Sequence, residues 1–342
     1  MPKLGLTMSG AKYLRVPPRT KWVDVLKGLM IILVVIGHAW RGMNGRDLLP
    51  QELFEAVDAR IYAFHMPVFF ALSGWFFIAS LKRSTLIGFW AKTSARILWP
   101  MILWTYIFLV GKVVFGEYAN APIDLSEVLV LPIPGLYHLW FLWALFLLTI
   151  GFSIIKPAVE NEKRLQFALT IMVAVVISLQ NISLPSHFFS WVGPAIYYAP
   201  FFLVGVIFGH TKWLKFEVRH RNWLALSAIL FLLVFWPAID GAGLRNIGSL
   251  ALTLCILMLS SGLRFTDKSR LTRFLQHLGF ATMAIFLAHT IFSAVVRELL
   301  LAAGIKDILT HLVLGTALGV FGPLALLAIA QRTQTTRLLG FR

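Results

Sequence analysis

The sequence contains very little cysteine and little charge of either sign. Its 342 residues include one cysteine, Cys255, and 13% charged residues, with 15 Asp and Glu against 31 Lys and Arg. One cysteine excludes a disulfide within the chain and argues against a cysteine-based metal site. Hydrophobic residues make up 58% of the chain, and the mean hydropathy is +0.80. This composition excludes a soluble globular domain, because such a domain could not bury so much apolar surface.

The chain also has no internal repeat, low-complexity tract or linker, which indicates a single domain. Its apolar runs are long enough to cross a bilayer, since about 20 residues of helix span the hydrocarbon core. The sequence therefore predicts an all-α membrane protein with a single bundle of about ten transmembrane helices. The predicted spans are residues 22–40, 61–80, 97–115, 136–155, 165–182, 191–209, 223–239, 246–262, 277–296 and 311–330.

The basic residues indicate the orientation of these spans. Most of the 31 Lys and Arg residues fall in alternate connecting segments, starting with the N-terminus. Because basic residues accumulate on the cytoplasmic side of membrane proteins, both termini are predicted to be cytoplasmic and residues 41–60 to form an outer loop. We expect residues 1–21 to form a basic N-terminus, residues 22–330 the ten-span bundle, and residues 331–342 a cytoplasmic tail. The net charge of +16 is then an orientation signal, and we expect no nucleic-acid partner.

The first predicted span, KWVDVLKGLMIILVVIGHAW, contains the ionisable residues Asp24, Lys27 and His38. Ionisable groups are costly inside a membrane helix, so they indicate a functional site. At about 100° per residue, Lys27 and His38 lie on nearly the same helix face, roughly 16 Å apart along the axis. Asp24 lies within roughly 60° of both. The span is therefore predicted to have a polar face that runs from one membrane surface towards the other.

Four histidines from four different spans fall in the predicted outer half of the membrane: His38, His65, His138 and His289. Histidine titrates near neutral pH and often acts as a general base or proton shuttle. Histidines also form structural hydrogen bonds between membrane helices, and for the last three both interpretations stay open. A metal site built from all four is the weaker interpretation, because no two are four residues apart on one helix. We expect His38, with a cation and a carboxylate on its face, to be functional.

Basic residues also lie at the predicted inner surface, where Lys92 and Arg96 precede the third span beside Trp90 and Trp99. The basic stretch LKRSTLIGFWAKTSARILWP is predicted to form an amphipathic interfacial helix that ends at Arg96. A cation at that boundary can bind phosphate through charge-assisted hydrogen bonds. It can equally serve only to orient the spans. Together with the outer histidines, these cations suggest a cytosolic polyanionic donor whose reactive end reaches a base near the far surface.

Four stretches, in motif order over most of the chain, resemble the membrane-bound acyltransferase family 3. They are WVDVLKGLMIILVVIGH, FHMPVFFALSGW, FWAKTSARILWP and HLWFLWALF. The chain looks closest to the stand-alone O-acetyltransferases related to fucose acetylases and enterobacterial-antigen acetylases. The family's first-helix pattern is a cation, ten residues and a histidine, matched here by Lys27 and His38. Its second basic motif, two arginines three apart, is half matched, because Arg96 fits one position while Thr93, beside Lys92, occupies the other.

The resemblance implies ten membrane helices and an activity. It implies transfer of an acetyl group from cytoplasmic acetyl-CoA to a hydroxyl of an extracytoplasmic carbohydrate, such as a lipid-linked oligosaccharide, an O-antigen or an exopolysaccharide. It also implies a multi-pass protein of the bacterial inner membrane. Acetyl-CoA would be a co-substrate, and we expect no permanently bound cofactor and no metal.

The resemblance further implies roles for the candidate site residues. His38 would be the general base on the acceptor hydroxyl, or would carry the acetyl group in an acyl-enzyme intermediate. Asp24, the second candidate catalytic residue, would shape the donor channel or serve as a structural partner of Lys27. The expected donor-binding residues are Lys27, Lys92 and Arg96. The expected acceptor-binding residues are His65, His138 and His289.

Two other classes of function fit a polytopic membrane protein. A secondary transporter or flippase for a glycan or glycolipid precursor also has about ten spans, but such proteins often show an internal repeat and a midplane site. A scaffolding subunit would have no chemistry, and His38 would then be dispensable. The separation of a basic inner rim from a histidine-bearing outer half favours the acyltransferase.

Overall fold

The computed structural model describes most of the chain as helices. The described residues are 21–114, 133–182, 185–210, 221–239, 241–263, 265–266 and 268–341. Within them the helices are joined by turns and there is no strand, which confirms the predicted all-α fold. Of the expected basic N-terminus, only Lys21 belongs to the described part.

Fourteen α-helices occupy the described residues. They are α1 (Lys21–Asn44), α2 (Gln51–Tyr62), α3 (His65–Trp75), α4 (Phe77–Lys82), α5 (Leu86–Thr93), α6 (Trp99–Val114), α7 (Trp140–Phe152), α8 (Glu162–Leu179), α9 (Ser186–His210), α10 (Arg221–Val234), α11 (Ala242–Gly262), α12 (Arg270–Phe280), α13 (Thr282–Ala302) and α14 (Ile308–Arg332). A π-helical segment, Ser94–Leu98, joins α5 to α6. Short 3₁₀ turns are Tyr137–Leu139, Ser153–Ala158 and Trp236–Ala238.

Eight helices, or helices joined end to end, are long and apolar enough within the described residues to cross a membrane. They are Lys21–Asn44, Gln51–Lys82, Leu86–Val114, Tyr137–Ala158, Trp191–His210, Gly243–Gly262, Thr282–Ala302 and Ile308–Arg332. The protein is therefore a helical membrane protein, and each of the eight overlaps a predicted span. The predicted span 165–182 coincides with α8, whose first turn holds three charged residues, and 223–239 coincides with α10, which has 14 residues. The total of ten spans and the cytoplasmic termini stay predictions.

Helix α1 packs against helices from both halves of the chain. It contacts α2, α3, α11, α12, α13 and α14. Its charges suit the helix dipole, because Asp24 lies in the first turn and Arg41 in the last. Its apolar residues Ile31 and Val35 are fully buried. Helix α1 therefore holds its polar residues within reach of several neighbouring helices.

Helices α1 and α12 cross at backbone contact distance, through a glycine on each. A Cβ atom on Gly28 would collide with the carbonyl oxygen of Leu275, and a Cβ atom on Gly279 would collide with the carbonyl oxygen of Asp24. Small residues at such crossings let two membrane helices approach closely. A similar crossing joins α3 to α9 at Gly205. The amphipathic helix α12 is thereby attached to the end of α1 that carries Asp24.

Residues 41–60, predicted to be an outer loop, are largely helical. Helix α1 continues to Asn44, and α2 occupies Gln51–Tyr62. The loop prediction was wrong because α2 lacks the continuous apolar stripe of a core helix, and none of its residues is fully buried. The chain then enters α3, with Pro67 in its first turn, where a missing N–H removes no bond within the helix.

The predicted interfacial helix also continues beyond Arg96, where it was expected to end. Helix α5, the π-helical segment and α6 run together over Leu86–Val114. The π-helical segment ends two residues before Pro100, whose nitrogen cannot donate the usual helical hydrogen bond to Arg96, four positions earlier. A single π-helical turn accommodates a missing bond of this kind. The helix therefore passes the proline without a break.

The segment that follows α14 packs against α6. The indole nitrogen of Trp99 donates to the carbonyl oxygen of Leu338 at 2.9 Å, and that of Trp104 donates to Leu339 at 3.0 Å. The Phe341 ring is buried, with its centroid 5.9 Å from that of Trp104. As far as residue 341, the predicted tail is therefore a packed part of the bundle.

Candidate functional site: a cluster of imidazoles

Three histidines from three separate parts of the chain meet in one cluster. The ring centroids of His38 in α1, His138 in the turn before α7, and His289 in α13 lie 5.0 to 5.6 Å apart. Each pair of rings packs edge to face. In the described part of the chain, no three His, Cys, Asp or Glu side chains are arranged to hold a metal ion. We call His38, His138 and His289 the imidazole cluster.

Aromatic side chains position His138 within the cluster. The His138 ring centroid lies 5.1 Å from that of Phe108 in α6 and 5.2 Å from that of Phe286 in α13. Both contacts are edge to face, the arrangement that aromatic rings prefer over direct stacking. The ring is therefore held between two helices, although His138 itself belongs to a short turn.

Hydrogen bonds to the backbone fix the orientation of His289. Its Nδ1 lies 3.0 Å from the carbonyl oxygen of Ile285 and 2.9 Å from that of Phe286. A nitrogen must carry a proton to donate to a carbonyl, so in the neutral ring Nδ1 is protonated and Nε2 keeps its lone pair. This Nε2 is buried without a hydrogen-bond partner in the described protein, as is Nε2 of His138. His289 thus offers a buried acceptor to a hydroxyl group.

His38 differs from the other histidines in its accessibility. His65, His138 and His289 are 0%, 6% and 0% exposed, whereas His38 is partly exposed. A general base must touch the group that it deprotonates. His38 is therefore the most accessible member of the imidazole cluster.

His65 contacts the imidazole cluster through Tyr62. The ring centroid of Tyr62 lies 4.5 Å from that of His65 and 6.5 Å from that of His38. Nδ1 of His65 donates to the carbonyl oxygen of Ile61 at 2.6 Å. Its Nε2 is buried without a partner among the described residues, so His65 also presents an acceptor.

An ion pair adjoins the imidazole cluster through Tyr62. Nε of Arg41 donates to Oδ1 of Asp58 at 2.7 Å, and Nη2 donates to Oδ2 at 2.8 Å. The guanidinium carbon of Arg41 lies 3.3 Å from the ring centroid of Tyr62.

Arg41, Asp58 and Tyr62 were not predicted from the sequence as site residues, because Arg41 and Asp58 fall in the segment 41–60, which was expected to be a loop, and Tyr62 follows it directly. Their spacing along the chain could have indicated that they share helix faces. Arg41 comes three residues after His38, and Asp58 comes four residues before Tyr62, and such pairs share a helix face.

Asp24 and Lys27 lie near the other end of α1, and both are partly buried. The Lys27 ammonium is 5.5 Å from the ring centroid of Phe76, the residue that separates α3 from α4. Helix α1 is unbroken between Lys27 and His38. The structure thus places Lys27 and His38 at two depths of one helix.

Lys92 and Arg96 are exposed on α5 and the π-helical segment. Nζ of Lys92 donates to Oγ of Ser84 at 3.1 Å. Arg96 makes no hydrogen bond or ion pair with the residues that the structure describes. Both cations are therefore available to an anionic ligand at this surface.

A family model described as an acyltransferase domain, that of acyltransferase family 3, matches residues 20–328. The chain belongs to acyltransferase family 3. The matched region contains the whole imidazole cluster together with Lys27, Lys92 and Arg96.

Two nodulation proteins named NolL are similar to this member of acyltransferase family 3. NolL of Sinorhizobium fredii (strain NBRC 101917 / NGR234) is 31% identical over 219 residues, which cover 60% of this chain and 53% of the relative. NolL of Mesorhizobium japonicum (strain LMG 29417 / CECT 9101 / MAFF 303099) is 26% identical over 215 residues, which cover 59% and 51%. The chain spans about half the length of these curated relatives. No solved structure matches it.

Proposed function

We propose that this acyltransferase is an O-acetyltransferase of the bacterial inner membrane. It moves an acetyl group from cytoplasmic acetyl-CoA to a hydroxyl of an extracytoplasmic carbohydrate. The observation that carries the proposal is the imidazole cluster, in which one accessible imidazole, His38, is surrounded by buried imidazoles. The carbohydrate is a lipid-linked oligosaccharide, an O-antigen or an exopolysaccharide, and no nucleic acid takes part.

The donor binds at the inner end of the bundle. Lys27, Lys92 and Arg96 hold the phosphates of CoA through charge-assisted hydrogen bonds, and the exposure of Lys92 and Arg96 supports this role. The flexible arm of CoA covers the roughly 16 Å of helix rise between Lys27 and His38. Asp24 shapes the entrance beside Lys27 or pairs with that lysine.

His38 acts as the general base in the transfer step. It takes the proton of the acceptor hydroxyl while the hydroxyl oxygen attacks the carbonyl carbon of the thioester. The carbon–sulfur bond then breaks, and the CoA thiolate leaves and takes the proton from His38. The products are an acetyl ester and CoA. A route through an acetyl-imidazole at His38 uses the same residues in two steps.

The buried histidines hold the acceptor. Nε2 of His65 and Nε2 of His289 each have a lone pair with no partner in the described protein. A carbohydrate presents several hydroxyl donors, and buried acceptors of this kind select hydroxyl-bearing ligands because an unpaired acceptor is costly. His138 supplies a third buried nitrogen beside His38.

The test uses inside-out membrane vesicles, loaded with host glycan extract, from host cells that lack their own copy of the gene. Acetyl-labelled acetyl-CoA is supplied to the cytoplasmic face, and free CoA and labelled glycan are measured. His38→Ala should insert normally and lose about 100-fold or more of the transfer rate, as expected for a lost general base. His277→Ala, which removes an exposed histidine of α12, is the matched control and should keep full activity.

Two results would contradict the proposal. Transfer by His38→Ala at the wild-type rate would show that His38 is not the base. No acetyl-CoA-dependent transfer by the wild type, in vesicles supplemented with glycan extract of the host, would favour a glycan transporter or flippase instead.

A further inference from the structure

We propose that the hydroxyl of Tyr62 donates a hydrogen bond to the oxyanion that forms when the acetyl thioester is attacked, and that Arg41 strengthens this donor. The inference rests on the proposed function and deepens it, because it assigns the group that stabilises the transition state. It makes Tyr62 a catalytic residue and makes Arg41 and Asp58 positioning residues.

The reaction needs a hydrogen-bond donor that His38 cannot supply while it acts as a base. Attack on a thioester carbonyl places negative charge on the carbonyl oxygen, and acyl-transfer enzymes stabilise this charge with preorganised donors, including tyrosine hydroxyls. Within the imidazole cluster, His289 does not fit the role, because its proton is held by two backbone carbonyls. A separate donor must therefore reach the reacting carbonyl.

Tyr62 has a hydroxyl of the required kind. The hydroxyl is buried and has no hydrogen-bond partner in the described protein. Buried hydroxyls are nearly always paired, so an unpaired one points to a group that arrives with a ligand.

The Tyr62 hydroxyl also lies close to the base. A Cβ atom built on Gly37 would be 3.6 Å from the hydroxyl oxygen and 3.2 Å from Cε2 of the Tyr62 ring. Because Gly37 directly precedes His38, the hydroxyl lies beside the α1 backbone next to the candidate base. The Tyr62 and His38 ring centroids are 6.5 Å apart. At this distance the Tyr62 hydroxyl and the His38 imidazole can both lie next to one bound acetyl group.

Arg41 is placed to strengthen Tyr62 as a donor. Its guanidinium carbon lies 3.3 Å from the ring centroid of Tyr62. A cation on the face of an aromatic ring is attracted to its electrons, and it stabilises the negative charge that the phenol oxygen shares when it donates to an anion. The two hydrogen bonds to Asp58 fix the plane of the guanidinium. Asp58 therefore acts on the reaction only through Arg41.

The electrons and protons balance without a further reactant. When the acceptor oxygen attacks, the π electrons of the carbonyl move onto its oxygen, which accepts the hydrogen bond from Tyr62. Tyr62 keeps its proton throughout. When the carbonyl re-forms, the electron pair of the carbon–sulfur bond leaves with CoA, which takes the proton from His38.

The first test compares Tyr62→Phe with the wild type in the vesicle assay, with acetyl-CoA and host glycan extract each varied. Tyr62→Phe removes one oxygen atom and should lower kcat about 100-fold to 1000-fold, the usual loss for one oxyanion donor. KM for acetyl-CoA should change by less than about threefold, because the interaction forms only in the transition state. Tyr106→Phe, at a partly buried tyrosine of α6, is the matched control and should keep the wild-type kcat.

The second test asks whether Arg41 acts through the Tyr62 hydroxyl. Arg41→Lys keeps the charge but loses the planar guanidinium, which stacks on the Tyr62 ring and donates two hydrogen bonds to Asp58. The substitution should therefore lower kcat in the wild-type background. In the Tyr62→Phe background the same change should have little further effect, because the two residues act as one unit. If the double variant lost kcat by the product of the two single losses, the substitutions would act independently, and the proposed role of Arg41 would be overturned.

The outcomes separate this inference from the proposed function. If Tyr62→Phe keeps the wild-type kcat while His38→Ala is inactive, the oxyanion role is wrong and the proposed function stands. If Tyr62→Phe raises only KM for the glycan extract, the hydroxyl binds the acceptor, which also overturns the oxyanion role. If wild-type vesicles show no acetyl-CoA-dependent transfer, the proposed function fails and this inference fails with it.

Discussion

The rings of His38 and His289 pack edge to face with their centroids 5.0 Å apart, at an interplanar angle of 61°. The contact joins a partly exposed imidazole in α1 to a fully buried imidazole in α13. The buried ring is held in one tautomer by two backbone carbonyls, so the two nitrogens of His289 have different roles. Substitutions that separate these roles give the first prediction.

His289→Asn should lose activity but keep the fold. The amide nitrogen of Asn occupies about the position of Nδ1 and can still donate to Ile285 or Phe286, whereas nothing replaces Nε2. Loss of one hydrogen bond to the acceptor should reduce acetyl transfer about tenfold, with a melting temperature in detergent close to that of the wild type. His289→Ala should lower both the rate of acetyl transfer and the melting temperature. Full transfer by His289→Asn would show that Nε2 does not contact the acceptor.

Gly28→Ala should destabilise the protein by about 1–3 kcal/mol, the usual cost of inserting a methyl group into a packed contact. The new Cβ atom would meet the backbone carbonyl of Leu275, which cannot rotate away as a side chain can. Gly111→Ala in α6 is the control, because a Cβ atom there meets nothing within 4 Å. Thermal unfolding in detergent should show a lower midpoint for Gly28→Ala only. Equal midpoints would mean that α1 and α12 do not cross this closely.

Arg96→Ala should raise KM for acetyl-CoA about tenfold and leave kcat nearly unchanged, since a hydrogen bond between charged groups contributes about 1.5–3 kcal/mol. The wild-type KM for acetyl-CoA should also rise with salt concentration, because exposed charges are screened. The KM of Arg96→Ala should rise less over the same range of salt. Arg332→Ala, at the exposed end of α14, is the control with the same charge change. An unchanged KM in Arg96→Ala would remove Arg96 from the donor site.

Asp307 gives a pH-dependent prediction. Its carboxylate caps α14 by accepting hydrogen bonds from the hydroxyl and the backbone N–H of Thr310, both at 2.7 Å. These bonds hold the pKa of Asp307 below its usual value. The stabilisation is therefore fully present above the unfolded pKa of about 4 and is lost as the pH falls through the lower, folded pKa. Asp307→Ala should lower the melting temperature at pH 7.

The difference between Asp307→Ala and the wild type should shrink as the pH is lowered below about 4. Lys306→Ala, at the neighbouring exposed position, should show no such pH dependence. A difference in melting temperature that stays constant with pH would mean that the charge of Asp307 does not contribute.

The fold class and the course of α1 could be predicted because both depend on local pattern. A run of apolar residues determines that a segment is a membrane helix, and helical periodicity determines that Lys27 and His38 share a face. The order of the spans also gave the approximate depth of His138 and His289. It could not give their contact with His38, which depends on how α1, α7 and α13 pack. The roles of these residues in the reaction stay predictions.

The ion pair between Arg41 and Asp58 could not be predicted by the same reasoning. Arg41 and Asp58 are 17 residues apart on two helices, and α2 has no buried residue whose pattern would have marked it as a helix. The π-helical turn before Pro100 was not predicted either, because a proline at that position could equally have ended or kinked the helix. The ion pair depends on a contact between two segments, which a reading of one segment at a time does not contain.

The packed segment after α14 determines where a reporter can be joined to this protein. A fluorescent or phosphatase fusion attached directly after Arg332 would delete the carbonyl partners of Trp99 and Trp104 and uncover a face of α6 that Phe341 now shields. Loss of signal from that fusion would then report damage to the bundle and would be mistaken for information on orientation. A fusion joined after Phe341 keeps these contacts, so its signal can be interpreted as the side of the membrane on which the chain emerges.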